Sequence, residues 1–280
     1  MYSIFMTLIA RNKMLLTIFI ICILIFIFTA VIFTIAAVND QITAPTLTSR
    51  LFPLPNLPFF QYNFLASLIS AIILTIFTSA AICIIYINFE KTQAPEIIYF
   101  CFFLIGCIIE TTRIWFPIYN LWKNFSIIYI VASRILFFGR MLSTLSLTFL
   151  VLFSINQNIQ QNENKNCLII TAAAAVFSTL IPVDTITIPS NCAVRFGYEK
   201  MFLGICIFCF VAAYVSMRLY ATSIYSKEYK KASLGYFFLS FGYLFLTQTD
   251  CFVILFLGAT FFIGGTIIFL RNLHRYHIWK

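Results

Sequence analysis

Residues 14–38 run for 25 positions without a charged side chain. A stretch of that length limits the backbone before any fold is considered. About 20 apolar residues in a helix cross the hydrocarbon of a bilayer. No water is available there, so a helix must satisfy its own N–H and C=O groups. A secretory leader has a shorter apolar core, about 7–15 residues. The Ala36-Ala37 end is weakly cleavage-like, and an uncleaved anchor is the expectation.

The same kind of run recurs along the chain. Of the 280 residues 62% are hydrophobic, only 10% are charged, and the mean hydropathy is +0.98. A soluble domain carries roughly 25% charged residues, so this chain cannot cover its own exterior with polar groups. A polytopic, all-α transmembrane bundle with lipid as its solvent resolves the shortage, and the spans leave no room for a separate soluble domain. The 34 Phe are read as lipid-facing side chains rather than as a ligand path.

Eight spans are expected, at residues 14–38, 64–87, 97–116, 127–153, 167–181, 201–217, 234–247 and 251–270. The fifth and seventh are short for about 30 Å of hydrocarbon. Pro45, Pro53, Pro55 and Pro58 mark the longest loop, because proline at that density cannot continue a helix. With the N-terminus inside, the cytoplasmic segments collect Arg11, Lys13, Lys91, Lys165, Arg218, Lys227, Lys230, Lys231, Arg271, Arg275 and Lys280. The outer segments hold Arg50, Lys123, Arg195 and Lys200. Eleven against four is a positive-inside bias. Seven spans would move Arg271, Arg275 and Lys280 outside, so eight spans with both termini cytoplasmic fit better. The net charge of +9 is thereby assigned to loops, and no nucleic-acid partner is expected.

Charges inside the third and fourth spans are the most informative residues. Glu110 and Arg113 are three apart and share a helix face. Arg134 and Arg140 interrupt the fourth span, each at a cost of about 2.5–3.5 kcal/mol for insertion. At 1.5 Å per residue, Glu110 and Arg134 lie about 9 and 10 Å from the outer ends of antiparallel helices. Matched depth predicts a Glu110–Arg134 ion pair, with Arg113 nearer the outer surface. Arg140 lies some 120° further around the helix and has no evident partner. The cluster is either an assembly clasp or an anion or carboxylate site.

A second polar set, Tyr236, Ser240, Tyr243 and Thr247, is spaced 4, 3 and 4 on the seventh span. Gly235 and Gly242 line an adjacent edge where another backbone can approach. The stripe serves helix packing or lines a solute path. Cys192 and Cys251, both outer, are a candidate disulfide. The C-x-x-C of Cys206 and Cys209 sits in an apolar run, where a thiolate is suppressed. His274 and His277 make H-x-x-H without Cys or carboxylate neighbours, a poor metal site. The basic tail that holds them is suited to anionic lipid head groups.

No nucleophile, Walker, dinucleotide or zinc-protease pattern is present, so no catalytic residue, metal or cofactor is expected. All eight prolines lie in loops or near span ends, which suggests unbroken helices. A non-catalytic sensor, receptor-like or assembly-partner module is the leading expectation, with a membrane protein as its partner. The alternative is a small-solute transporter or channel for an anion or carboxylate. In general make-up the chain looks like a multi-pass bacterial inner-membrane protein.

Overall fold

The computed structural model describes residues 8–42, 44, 60–89, 94–122, 127–155, 163–185 and 187–278. The Pro-rich segment and Arg50, Lys91, Lys123 and Lys280 lie outside the described residues. The chain is helical almost throughout: α1 (Leu8–Val38), α2 (Phe64–Phe89), α3 (Glu96–Ile109), α4 (Thr112–Ile118) and α5 (Ile127–Ile155). Then follow α6 (Glu163–Leu180), α7 (Glu199–Ser223), α8 (Lys227–Thr247) and α9 (Phe252–Ile278). Among the described residues the strand structure is a two-residue ladder, β1 (Val183–Asp184) against β2 (Arg195–Phe196), which closes the loop between α6 and α7.

Among the described residues, six helical stretches are long and apolar enough to cross a membrane: Arg11–Val38, Phe64–Phe89, Glu96–Ile118, Ile127–Phe153, Glu199–Ser223 and Phe252–Ile278. On the outside of α1, Leu16, Ile20, Leu24, Ile27 and Phe28 are exposed. Apolar surface on that scale is stable against lipid and not against water. The fold is that of an integral membrane protein.

Two helices fall outside the six for different reasons. The 18 residues of α6 reach only about 27 Å. The 21 residues of α8 are long enough, but they open with Lys227, Glu228, Lys230 and Lys231. Those four charges are exposed at the start of the helix, and the polar residues beyond them are largely buried. Twelve of its 21 residues are buried, from Tyr229 to Thr247. A helix enclosed by other helices meets protein rather than lipid, so polar side chains are tolerated where they find partners.

Close backbone contacts fix how the helices meet. A Cβ on Gly235 would lie 2.5 Å from Phe269 N, so α8 and α9 touch backbone to backbone there, and Gly242 meets Phe262 in the same way. On the other side of the core a Cβ on Gly106 would lie 2.6 Å from Gly139 O, which presses α3 against α5. Between these seams sit Phe100, Phe103, Phe262 and Phe269, all fully buried. Phe103 meets Tyr243 edge-on at 5.4 Å and Phe100 lies 5.5 Å from Phe269. Phenylalanine therefore fills the core as well as the lipid face.

Candidate functional site

The third predicted span is not one helix. At Glu110 and Thr111 the backbone tightens: the N–H groups of Glu110, Thr111, Arg113 and Ile114 each donate to the carbonyl three residues back. This is 3₁₀ bonding, which separates α3 from α4 without glycine or proline at the break. The hydroxyls of Thr111 and Thr112 donate to the carbonyls of Ile108 and Ile109, at 2.8 and 2.9 Å. Neighbouring side chains thus serve carbonyls disturbed by the altered bonding. The expectation of unbroken helices fails here, at a turn that proline and glycine scanning does not detect.

Glu110 sits at this break, wholly buried. Its partner is Arg140 on α5, with Nε donating to Oε1 at 2.7 Å and Nη2 to Oε2 at 3.4 Å. A fork of this kind is a strong form of ion pair. Arg113 lies 3.8 Å from Oε2 of the same carboxylate and is 1% exposed. All three of its nitrogens have acceptors: Nε and Nη2 donate to Asn191 O at 3.1 and 2.5 Å, and Nη1 donates to Leu246 O at 3.1 Å. Arg140 Nη2 also donates to Thr247 O, at 3.3 Å.

Leu246 and Thr247 are the last residues of α8, whose terminal carbonyls have no partner within the helix. The C-terminus of a helix carries about half a negative charge. Two guanidinium groups therefore face one carboxylate and one helix end. The loop before α7 closes the cluster from the side. Asn191 Nδ2 donates to Thr247 O at 3.3 Å and to Gln248 Oε1 at 3.2 Å, while its Oδ1 accepts from Ala193 N at 3.2 Å. Ser190 Oγ donates to Asp250 Oδ2 at 2.9 Å. From α2, Ser67 Oγ lies 3.0 and 2.9 Å from the carbonyls of Ser190 and Thr249.

The predicted Glu110–Arg134 pair is not formed. Half-buried Arg134 turns to α6, where Nη1 donates to Ser178 O at 2.6 Å and Thr179 O at 2.5 Å. Matched depth gives only one coordinate of a helix contact. The other is azimuth, and the Gly106–Gly139 seam sets it by placing the next residue, Arg140, beside Glu110 one turn along α3. Arg134, about 120° away on α5, faces a different neighbour.

The α8 stripe is wholly internal: Tyr236, Ser240, Tyr243 and Thr247 are at most 3% exposed. Tyr236 Oη donates to Leu147 O of α5 at 3.2 Å. Ser240 and Thr247 return their hydroxyls to Phe237 O and Leu244 O, both at 3.0 Å. The ring of Tyr243 carries the stripe toward the charges, near Ser143 and Glu110, with its hydroxyl outside standard hydrogen-bond geometry. Stripe and charge cluster, read separately from sequence, are one continuous interior seam.

Cys192 and Cys251 are both free and both 1% exposed, so the candidate disulfide is not formed. Burial pushes the Cys192 thiol up to about 12. At the opposite end of the bundle, His277 Nε2 lies 3.1 Å from Glu96 Oε2 and His274 packs edge-on against Phe89. Among the described residues no group of three or more His, Cys, Asp or Glu is placed to hold a metal ion. Sequence reasoning missed Asn191, which carries no pattern of its own, and the Gly106–Gly139 contact. The second left a signal: each glycine precedes a cluster charge by one turn or less. A comparison with protein-family models, curated proteins and solved structures finds no match for this chain.

Proposed function

We propose that the chain is a multi-pass, non-catalytic membrane module, a sensor, receptor-like bundle or assembly partner that acts through a second membrane protein. The observation that carries this reading is the self-contained charge cluster. Glu110, Arg113 and Arg140 are 0, 1 and 5% exposed, and their hydrogen bonds go to one another and to helix and loop carbonyls. Groups so engaged hold helices in place, and a bundle of this kind delivers its output through whatever it assembles with. Gentle detergent purification followed by native mass spectrometry tests the proposal. A stoichiometric protein partner is the expected result, and an isolated chain with turnover or flux of its own would refute it.

The eight-span topology with cytoplasmic termini belongs to the same reading, with α6 and α8 as the two additional spans. Contacts at the two ends support it. Asn63 at the start of α2 donates to Asp250 O between α8 and α9, at 2.9 Å, and Ser67 reaches the loop before α7. Those are the segments assigned outside. Arg11 Nη2 reaches Phe89 O at 2.8 Å, and His277 reaches Glu96, joining four helix ends assigned inside. The expected residence is the bacterial inner membrane.

A second reading, a transporter for a small anion or carboxylate, is favoured by two observations. The cluster holds two arginines against one carboxylate, and the third span breaks at that carboxylate. Interrupted helices at midplane are a common way to build a solute site. Carboxylate flux in proteoliposomes that disappears in Arg113→Gln is the outcome this reading requires.

A further inference from the structure

Between α2 and α9, at the end of the bundle that holds the α9 C-terminus, lies a groove of 310 Å³. Its walls change character along its length. Toward the middle of the bundle they are apolar, with Ala81 and Ile84 on α2 and Ile267 on α9. Ile84 and Ile267 are 49 and 56% exposed, so the groove opens on the lipid side. At the end it is lined by Asn88, Arg271 and His274. On each helix the named apolar and polar residues are four to seven positions apart, about 6–10 Å.

The polar end carries unused binding capacity. Arg271 is exposed, and among the described residues the four ion pairs involve other cations. His274 Nδ1 is buried with no hydrogen-bond partner. Two other basic groups at this end are engaged, Arg11 by Phe89 O and His277 by Glu96. An apolar channel that ends on an uncompensated guanidinium matches an amphiphile with an alkyl chain and an anionic head. Arginine binds a phosphate through two parallel N–H groups. Basic pockets between helices on the cytoplasmic side are suited to anionic phospholipid heads.

We propose that this groove binds an anionic phospholipid of the cytoplasmic leaflet, with an acyl chain along Ala81, Ile84 and Ile267 and the phosphate on Arg271 and His274. The proposal rests on the topology above but on neither functional reading. Topology is tested separately by labelling, so the two can fail independently.

The experiment is native mass spectrometry of the full chain released from nanodiscs of equimolar phosphatidylglycerol and phosphatidylcholine. The expected result is a retained phosphatidylglycerol adduct, preferred over phosphatidylcholine. Arg271→Gln should reduce that preference about fivefold, the equivalent of about 1 kcal/mol for one cation near an anionic lipid. Arg275→Gln, one turn further on and outside the groove, should leave most of it. Equal retention of the two lipids would overturn the proposal, and so would equal losses from the two arginine variants, which indicate diffuse surface attraction. If Arg271→Gln fails to fold, Ile267→Trp gives a second measurement. Its emission should be quenched more by brominated phosphatidylglycerol than by brominated phosphatidylcholine, and equal quenching would also overturn the site.

Discussion

At the scale of single residues, four arginines are satisfied by the last carbonyls of neighbouring helices. Arg11 reaches the end of α2, Arg134 the end of α6, and Arg113 and Arg140 the end of α8. A guanidinium brings several donors and a full charge to a place where carbonyls are unpaired and the helix dipole is negative. Glu110 differs, because its removal leaves buried charge uncompensated. Glu110→Ala should lower stability by about 3–5 kcal/mol, whereas Glu110→Leu combined with Arg140→Leu should cost less than either change alone. Thermal unfolding in detergent measures both. Pairing is tested by charge exchange: Glu110→Arg with Arg140→Glu should retain more folded protein than Glu110→Arg with Arg134→Glu. The reverse order would contradict the azimuth set by Gly139. Cys192 and Cys251 should resist maleimide in the folded protein and react once it is unfolded, since both are buried and the Cys192 thiol is pushed to about 12. With so high a value the reactive thiolate stays scarce at neutral pH and rises only in strong alkali.

At the scale of elements, the glycine seams decide which helices are neighbours. Gly264 and Gly265 are adjacent on α9 but differ in surroundings. A Cβ on Gly264 meets nothing within 4 Å, while one on Gly265 would lie 2.8 Å from Phe238 C. Gly264→Ala should therefore be neutral or stabilise by up to about 1 kcal/mol, through helix propensity. Gly265→Ala should destabilise by about 1–3 kcal/mol, because α8 must move away. Equal melting temperatures for the two variants would show that the α8–α9 contact is looser than described. Gly235 and Gly242 were legible as an edge for close approach, since their spacing alone puts them on one side of α8. The break between α3 and α4 was not legible. It depends on 3₁₀ bonding at a buried carboxylate and on two threonine hydroxyls, none of which proline or glycine content records.

At the scale of the whole molecule, the six long apolar helices make an integral membrane protein, and the position of α6 and α8 bears on topology. Under eight spans, Tyr198 and Tyr225 face opposite sides, and they are 76 and 93% exposed. Tyr198→Cys should react with an impermeant maleimide on intact cells, and Tyr225→Cys only after permeabilisation. Labelling of both from one side would remove the α7 span from the count. Sequence by itself determined the solvent, the helical class and the presence of buried charges that need partners. Those follow from local composition, because a run of apolar residues meets the same hydrocarbon whatever lies beside it. Tertiary structure alone decided which charges meet, that most of α8 is buried, and that Asn191 and two helix-end carbonyls complete the Glu110 cluster. Those depend on azimuth and on close backbone contact between segments far apart in the chain, quantities that spacing along one helix does not contain.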